Sequence, residues 1–404
     1  MSKIQLYWGN ELATPAVTII GAGIGGLTAA LSLRHYGIEA RIYEQAQQLG
    51  EIGAGLNLSP NGMKVLYALG LKDRIEDIRF QPHAISLRHY ETGIPFFENW
   101  FNQEFLDTFG APFYAFHRAD LHKMLLDAVR HGDPDCIQIG KPLTGLTEHD
   151  DGVQLIFEDG ESVKAAVVVG ADGVHSTVRT LRHPEMHAEY TGHVAYRGMV
   201  RATDVEPDLI EPKMNLWAGP AAHVVAYYVR RGELLNYVAL SEEIDWQTES
   251  WTTLADKSRL ADRFKDWNPT VRALIDHTQE GQCFKWAILM RAPLSSWSSA
   301  RTTLLGDAAH PMVPYLAQGS VMAIEDAWVL ANCLANHQEL AVALQAYEDA
   351  RLERTADIQR AAWKQGQLTH AVGRGNDMSE RQEGGGFAES NWIYGYDACT
   401  LFPH

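Results

Sequence analysis

Along the 404-residue chain the spacing of apolar positions switches between a period of two and a period near 3.6, and the first switch is the most informative. The β-branched run Val17 to Ile20 reads as a buried strand, and a helical apolar pattern begins after Gly26. Between them stand Gly21, Gly23 and Gly26, and a second strand, "ARIYE", closes on Glu44. Strand, glycine turn, helix and strand with a terminal acid form the dinucleotide-binding fingerprint: Gly21 makes the turn, Gly23 lets backbone approach a pyrophosphate, and Gly26 allows close helix-to-strand packing. The helix N-terminus then receives the phosphates, and Glu44 the ribose hydroxyls.

Farther along, Ser59 and Pro60 predict the start of a helix that stops at Gly70, after the glycine-rich loop from Gly50 to Asn57. Alternation around Gly93 in "HAISLRHYETGIPFFENW" predicts a hairpin outside the parallel unit. "HRADLHKMLLDAVRHGDP" returns to helical spacing, and the turns "HDDG" and "FEDGE" divide Leu143 to Val169 into a three-stranded meander. From Thr191 to Lys285 the segments alternate and are rich in aromatics, which predicts a second domain dominated by antiparallel sheet. "RTTLLGDAAHP" is again a buried strand with a turn, followed by helices from Gly319 and over about Leu340 to Ala371. The tail, with Gly384 to Gly386, is expected to be ordered only by docking on the body.

Composition narrows the class. Thirty-four Lys and Arg against 51 Asp and Glu give a net charge of −17, which argues against nucleic acid or an anionic membrane as partner. Cys136, Cys283, Cys333 and Cys399 stand far apart without metal spacing, as in a reduced cytoplasmic protein. "MSKIQLYWGNELATPA" lacks a signal-peptide pattern, and no apolar stretch reaches the ~20 residues of a membrane span. "HPEMH" lacks HExxH spacing, so no metal is expected, and neither GxSxG nor GxxxxGK[ST] occurs.

Three glycine and acid turns recur in order: Gly21 to Gly26 with Glu44, then "ADGVHSTVR", then "GDAAHPMVPYLAQGSVMAIEDA". With these three signatures the chain resembles the single-component FAD aromatic hydroxylases, the family of para-hydroxybenzoate hydroxylase, and within it the branches acting on 3-hydroxybenzoate, salicylate and 6-hydroxynicotinate. The resemblance implies an α/β fold: a Rossmann-like FAD-binding domain with a β-meander (residues 1–80, 105–190 and 286–372, including the C-terminal helices), an interleaved antiparallel-sheet substrate domain (81–104 and 191–285), and a tail (373–404). It implies that Gly21, Gly23, Gly26 and Glu44 hold the ADP half of FAD, that Asp307 binds the ribityl chain, and that Arg118 contacts the flavin nucleotide. It gives Asp172 a structural duty and one in pyridine-nucleotide access, and brings the backbone of Leu316 to Ser320, Gly319 included, to the isoalloxazine. With no second GxGxxG, NADH or NADPH is expected to bind transiently.

Within "HVVAYYVRRGELLNYV", period-two alternation puts His223 and Tyr227 on one strand face, so both can line one pocket wall. Oxygen transfer favours an electron-rich carbon, and removing a phenol proton enriches the ring; neutral His suits the base and Tyr a hydrogen-bond relay. The family branches are similar at this His-x-x-x-Tyr. Asn57 and Tyr315 stand where the hydroxynicotinate branch carries histidines, Pro314 replaces a polar residue of the 3-hydroxybenzoate branch, and Ala317 replaces the first glycine of "GQG". Asn57, Arg197, Tyr315 and Gln318 are the candidate substrate-pocket residues, Arg197 for an aromatic carboxylate.

The expected function is that of a cytoplasmic FAD monooxygenase hydroxylating a small phenolic or heteroaromatic carboxylate with dioxygen, with or without decarboxylation. The rivals are a flavin dehydrogenase or reductase and a non-catalytic flavin-binding sensor. Ring pattern, choice of nicotinamide and assembly state, a homodimer among them, stay open.

Overall fold

The structure, a computed structural model, describes residues 17–50, 53–243, 253–372 and 387–401. Residues 1–16, part of the loop after Gly50 and the glycines 384–386 lie outside the described residues.

Val17–Ile20 is buried at all four positions and runs through the middle of a five-stranded parallel sheet. Ala40–Tyr43 flanks it on one side and Val167–Gly170 on the other, with Ile137–Gln138 and Thr302–Leu304 at the edges. A strand covered on both faces carries little polar surface, which is why this run shows no alternation and has Thr18 as its one polar position. Ile24–His35 packs against Gly319–Asn336, and their apolar faces join the sheet in the largest core cluster. Val17, Ile19, Leu27 and Leu33 are wholly inaccessible there, each contributing roughly 1.5–3 kcal/mol of burial. Leu143–His149, Gly152–Phe157 and Ser162–Ala165 form the antiparallel meander.

The second large layer has seven strands, in the order Phe284–Met290, Glu189–Arg201, Leu234–Glu242, Ala222–Val229, Met214–Gly219, Ala84–His89 and Pro95–Trp100. The hairpin around Gly93 is its far edge. One pairing departs from the antiparallel expectation: Met214–Gly219 runs parallel to Ala84–His89. Parallel neighbours need a long crossover, and here the meander and much of the nucleotide half intervene. One face of this sheet carries Val224, Ala226, Tyr237 and Ala239 in a core with Leu260, Phe264, Val271 and Leu274. The opposite face looks toward Val313, Tyr315 and Leu316, and there the candidate chemistry lies.

Two helices frame the site, one of them, Leu340–His370, reaching the seven-stranded sheet. Pro60–Ala68 has Pro60 at its first position, but Ser59 does not cap it; the Ser59 hydroxyl donates instead to Asn61 Oδ1 at 2.6 Å. Leu340–His370 crosses the back of the pocket, and Gly366 in its interior is where the Tyr315 ring lies, 2.5 Å from where a Cβ would stand. The described C-terminal residues dock as well: Lys64 donates to the Gly395 and Tyr396 carbonyls, Arg354 to those of Trp392 and Ile393, and the Tyr394 ring meets Phe105, Phe109 and Phe113. The four cysteines are free, three of them buried. No helix among the described residues is long and apolar enough to cross a membrane.

Candidate active site

The first strand ends at Ile20, and Gly21 turns the chain at φ +107°, where a Cβ would stand 2.4 Å from the Ala171 carbonyl oxygen. A Cβ on Gly26 would stand 2.0 Å from the Gly21 carbonyl oxygen, whereas nothing lies within 4 Å of one on Gly23. The outer glycines thus close the turn, and the middle one borders open space. No side chain caps the helix Ile24–His35, so its first N–H groups are available to an anion. Glu44 follows Ala40–Tyr43 and accepts the backbone N–H of Ala22 and of Ala46, each at 2.8 Å. Those bonds aim the carboxylate at the glycine turn and leave lone pairs for hydroxyl donors.

Arg118 begins the helix Arg118–Gly132, anchored by its backbone N–H to the Ala54 carbonyl at 2.8 Å. Asp307 lies in the turn Gly306–Ala308 on the cleft floor, surrounded by protein yet reached by solvent. Burial pushes its carboxyl up, and the charges of Arg118, Arg179 and Arg291, with His310 nearby, oppose that. A closed glycine turn, open space above Gly23, an acid at the second strand end and an acid ringed by cationic groups fit an FAD dinucleotide laid along this cleft.

Asp172 has its oxygens committed locally: Ser176 Oγ donates to one at 2.5 Å and the Val178 N–H to the other at 3.0 Å, at the start of Thr177–Arg182. Those bonds hold the turn that leads into this helix. Arg179, which ends the quoted "ADGVHSTVR" but received no role there, donates to the Asp307 and Ala308 carbonyls at 3.0 Å each. It ties the second signature to the third.

The third signature rests on a buried ionic network. Asp326 accepts from the Gly306 N–H at 3.0 Å, Arg351 Nε at 2.7 Å and His310 Nε2 at 2.5 Å. Glu325 takes Arg351, Arg354 and Asn61 at 2.6–2.9 Å. Burial alone would raise the Asp326 carboxyl, but His310 and Arg351 hold it down at about 2. Ahead of this network comes the turn Pro314–Leu316, and then Ala317 at φ +52° in the left-handed region. A side chain there costs about 1–2 kcal/mol relative to the right-handed form. Gln318, expected in the substrate pocket, turns inward instead: its amide donates to Ser59 Oγ at 3.0 Å and accepts from Asn61 Nδ2 at 3.2 Å. The helix Gly319–Asn336 leaves the Gln318 backbone without a side-chain cap, and the interior polar pair captures the side chain.

On the facing sheet, His223, Val225 and Tyr227 share one side of Ala222–Val229, with Leu240, Val238 and Asn236 as their cross-strand partners. The two candidates are four residues apart, about 13 Å along the strand, and have separate neighbours. His223 is buried, and its Nδ1 lies 2.8 Å from His370 Nε2. Burial first, and then the His193 ring, push its pKa down to about 3, so the ring is neutral at ordinary pH. His193 Nδ1 is hydrogen-bonded to the Tyr315 hydroxyl. Tyr227 lies beneath Gly55, beside Asn57 and Asn236; Asn236 Oδ1 accepts the Gly55 N–H at 2.8 Å, and burial raises the Tyr227 hydroxyl. Asn57 Oδ1 and Asn236 Nδ2 are buried with no hydrogen-bond partner among the described residues. Each such group costs about 1–3 kcal/mol when unmet, which marks this end of the strand as a place for a polar ligand. Arg197 is buried on Glu189–Arg201, opposite Val238 on one side and Phe284 on the other, with its guanidinium 5.1 Å from the Phe284 ring centroid and 5.8 Å from that of Trp286. Burial and the Arg118 charge lower it to about 10.

His193, Asn236, Glu242 and His370 were not singled out from the sequence. Asn236 alone left a trace there, since alternation from "ELLNYV" puts an amide on an apolar strand face.

Residues 14–362 match the family model described as FAD binding domain. A 3-amino-4-hydroxybenzoate 2-monooxygenase of Streptomyces platensis is 38% identical over 395 residues, covering 96% of this chain and 97% of that protein. The 6-hydroxynicotinate 3-monooxygenase of Pseudomonas fluorescens is 34% identical, covering 96% of each. Among solved structures, Klebsiella pneumoniae HpxO complexed with FAD and uric acid superposes with a TM-score of 0.80 at 28% identity, over 96% of this chain and 93% of that one.

Proposed function

The chain belongs to the FAD binding domain family, and on that premise we propose that it hydroxylates a small phenolic or heteroaromatic carboxylate, using NADH or NADPH as reductant and dioxygen as oxidant. In the overall balance one oxygen atom enters the ring and the other leaves as water, while the nicotinamide gives up a hydride and the solvent a proton. Bound FAD supplies the electron chemistry between nicotinamide, dioxygen and ring. The residues suited to hold it are Gly21, Gly23, Gly26, Glu44, Arg118 and Asp307, with the backbone of Leu316, Gly319 and Ser320 along the ring.

The chain's own part is binding, orientation and proton handling. His223, buried on this face, is the acceptor for the proton of the substrate hydroxyl, whose removal enriches the ring. Asn57, Tyr227 and Asn236 meet the polar substituent at the other end of the strand face, and Arg197 offers its charge to a carboxylate. Tyr315 closes the pocket from the helix side. The observation that carries this reading is the pair of orphaned amide atoms at the Tyr227 end of the pocket: Asn236 Nδ2, on the face that also bears His223, and Asn57 Oδ1, brought beside Tyr227 by the strand Gly55–Leu58. Where the accepting carbon bears the carboxylate, the same oxygen transfer expels carbon dioxide.

The test is a panel of hydroxybenzoates, aminohydroxybenzoates and hydroxypyridine carboxylates under labelled dioxygen, scored by stimulated nicotinamide oxidation and product mass. Substrate-dependent entry of one labelled oxygen is expected. Nicotinamide oxidation without label in any product would leave a dehydrogenase or reductase, and a yellow protein with no stimulated oxidation a flavin-binding sensor.

A further inference from the structure

His193 and Glu242 are cross-strand partners in the seven-stranded sheet, and the end of Leu340–His370 sets His370 beside them. One ligand atom from each of the three residues lies within 4.8 Å of the others, and His370 Nδ1 stands 3.8 Å from Glu242 Oε1. His193 and His370 are buried with ring centroids 4.6 Å apart, while the Glu242 side chain is 34% exposed and gives a path to solvent.

Two histidines and one carboxylate form the donor set of an open, three-ligand zinc site with a water in the fourth position. A second observation points the same way. Metal-binding histidines have the other ring nitrogen held by an outer partner, and both do here: His193 Nδ1 by the Tyr315 hydroxyl, His370 Nε2 by His223 Nδ1.

We propose that His193, Glu242 and His370 bind a zinc-class divalent ion, and that the ion switches off His223 by fixing the tautomer of His370. The second half rests on the reading of His223 as proton acceptor. Without metal, a hydrogen on His370 Nδ1 faces the Glu242 carboxylate, and Nε2 accepts from His223 Nδ1–H. The remaining nitrogen of His223, Nε2, is then a lone pair able to take the substrate proton. A metal on His370 Nδ1 forces that hydrogen to Nε2, where it is donated to His223 Nδ1. The His223 hydrogen must then sit on its own Nε2, which becomes a donor. Each ring moves one hydrogen between its nitrogens and no net proton is lost, yet the acceptor is gone.

The experiment uses the FAD-loaded protein after chelator treatment, titrated with Zn2+ by calorimetry and with Co2+ by visible absorption, in the original chain, Glu242→Gln and His193→Gln. One ion per chain is expected, with a tetrahedral cobalt spectrum, and each variant should weaken binding by at least about tenfold. Glu242 is partly exposed, so its amide variant keeps the fold test independent of the buried His193 change. Substrate-stimulated oxidation should fall in step with Zn2+ occupancy and return on chelation. Absence of stoichiometric binding, or equal binding in both variants, overturns the site. Full occupancy with undiminished hydroxylation overturns the tautomer switch. One-to-one binding that the variants weaken, in a protein that hydroxylates no aromatic acid, upholds the site and removes the role of His223.

Discussion

Asp326 is a case in which pairing defeats burial. Its carboxyl is held at about 2, against roughly 3.9 in an unfolded chain. A depressed carboxylate stabilises the fold fully above its unfolded value and loses that contribution as pH falls toward the folded one, so stability should decline between about pH 4 and pH 2. Asp326→Asn leaves Arg351 with Glu325 alone and takes the carboxylate from His310 in a fully inaccessible site, and should cost about 3–5 kcal/mol in urea titration at neutral pH, a penalty that shrinks as the original chain is acidified. His223 calls for a different measurement. His223→Gln keeps a polar side chain on the strand but offers no basic nitrogen, so substrate affinity should hold within a few-fold while hydroxylation turnover falls about 10²–10⁴-fold. Unchanged turnover at saturating substrate would remove it from the chemistry. At this scale the sequence was legible where a strand end sets an acid beside the glycine turn, as for Glu44, whereas Asp307 was reached only through the family resemblance. It was silent where partners meet only in space: His193 and His370 are far apart in the chain, and Gln318 looked like a pocket residue because the polar pair Ser59 and Asn61 that claims it comes from another helix.

Elements were easier to read than side chains, because strand and helix periods survive in one dimension whereas pairing partners do not. The parallel pairing of Met214–Gly219 with Ala84–His89 could not be read from either segment, since alternation looks the same for both directions. Two glycines show how elements are fitted together. Gly26→Ala places a methyl 2.0 Å from the Gly21 carbonyl oxygen, so the turn must open. That variant should purify with much reduced FAD content and regain colour only at high added FAD. Gly366 is the more discriminating case. Alanine in a helix interior is ordinarily better than glycine by about 1 kcal/mol, yet here its methyl would sit 2.5 Å from the Tyr315 ring. Gly366→Ala should therefore lose activity without gaining stability; a higher melting temperature with full activity would show that Tyr315 is free to move aside.

The whole molecule carries −17 charges and, on the proposed reading, works on anions. Screening shortens from about 30 Å at 0.01 M salt to about 8 Å at 0.15 M, so kcat/KM for a carboxylate substrate should rise over that range while a neutral phenol shows no change. A fall would mean that the local field of Arg118, Arg179 and Arg291 in the cleft outweighs the envelope. The two halves of the molecule are also fastened late in the sequence. Arg354 and Lys64 grip the carbonyls of residues 392–396, and the Tyr394 ring finishes the aromatic cluster that backs Tyr227. A chain lacking residues 392–396 would therefore keep every candidate side chain of the cleft yet carry a greasy opening behind Tyr227, a surface for chaperones to hold.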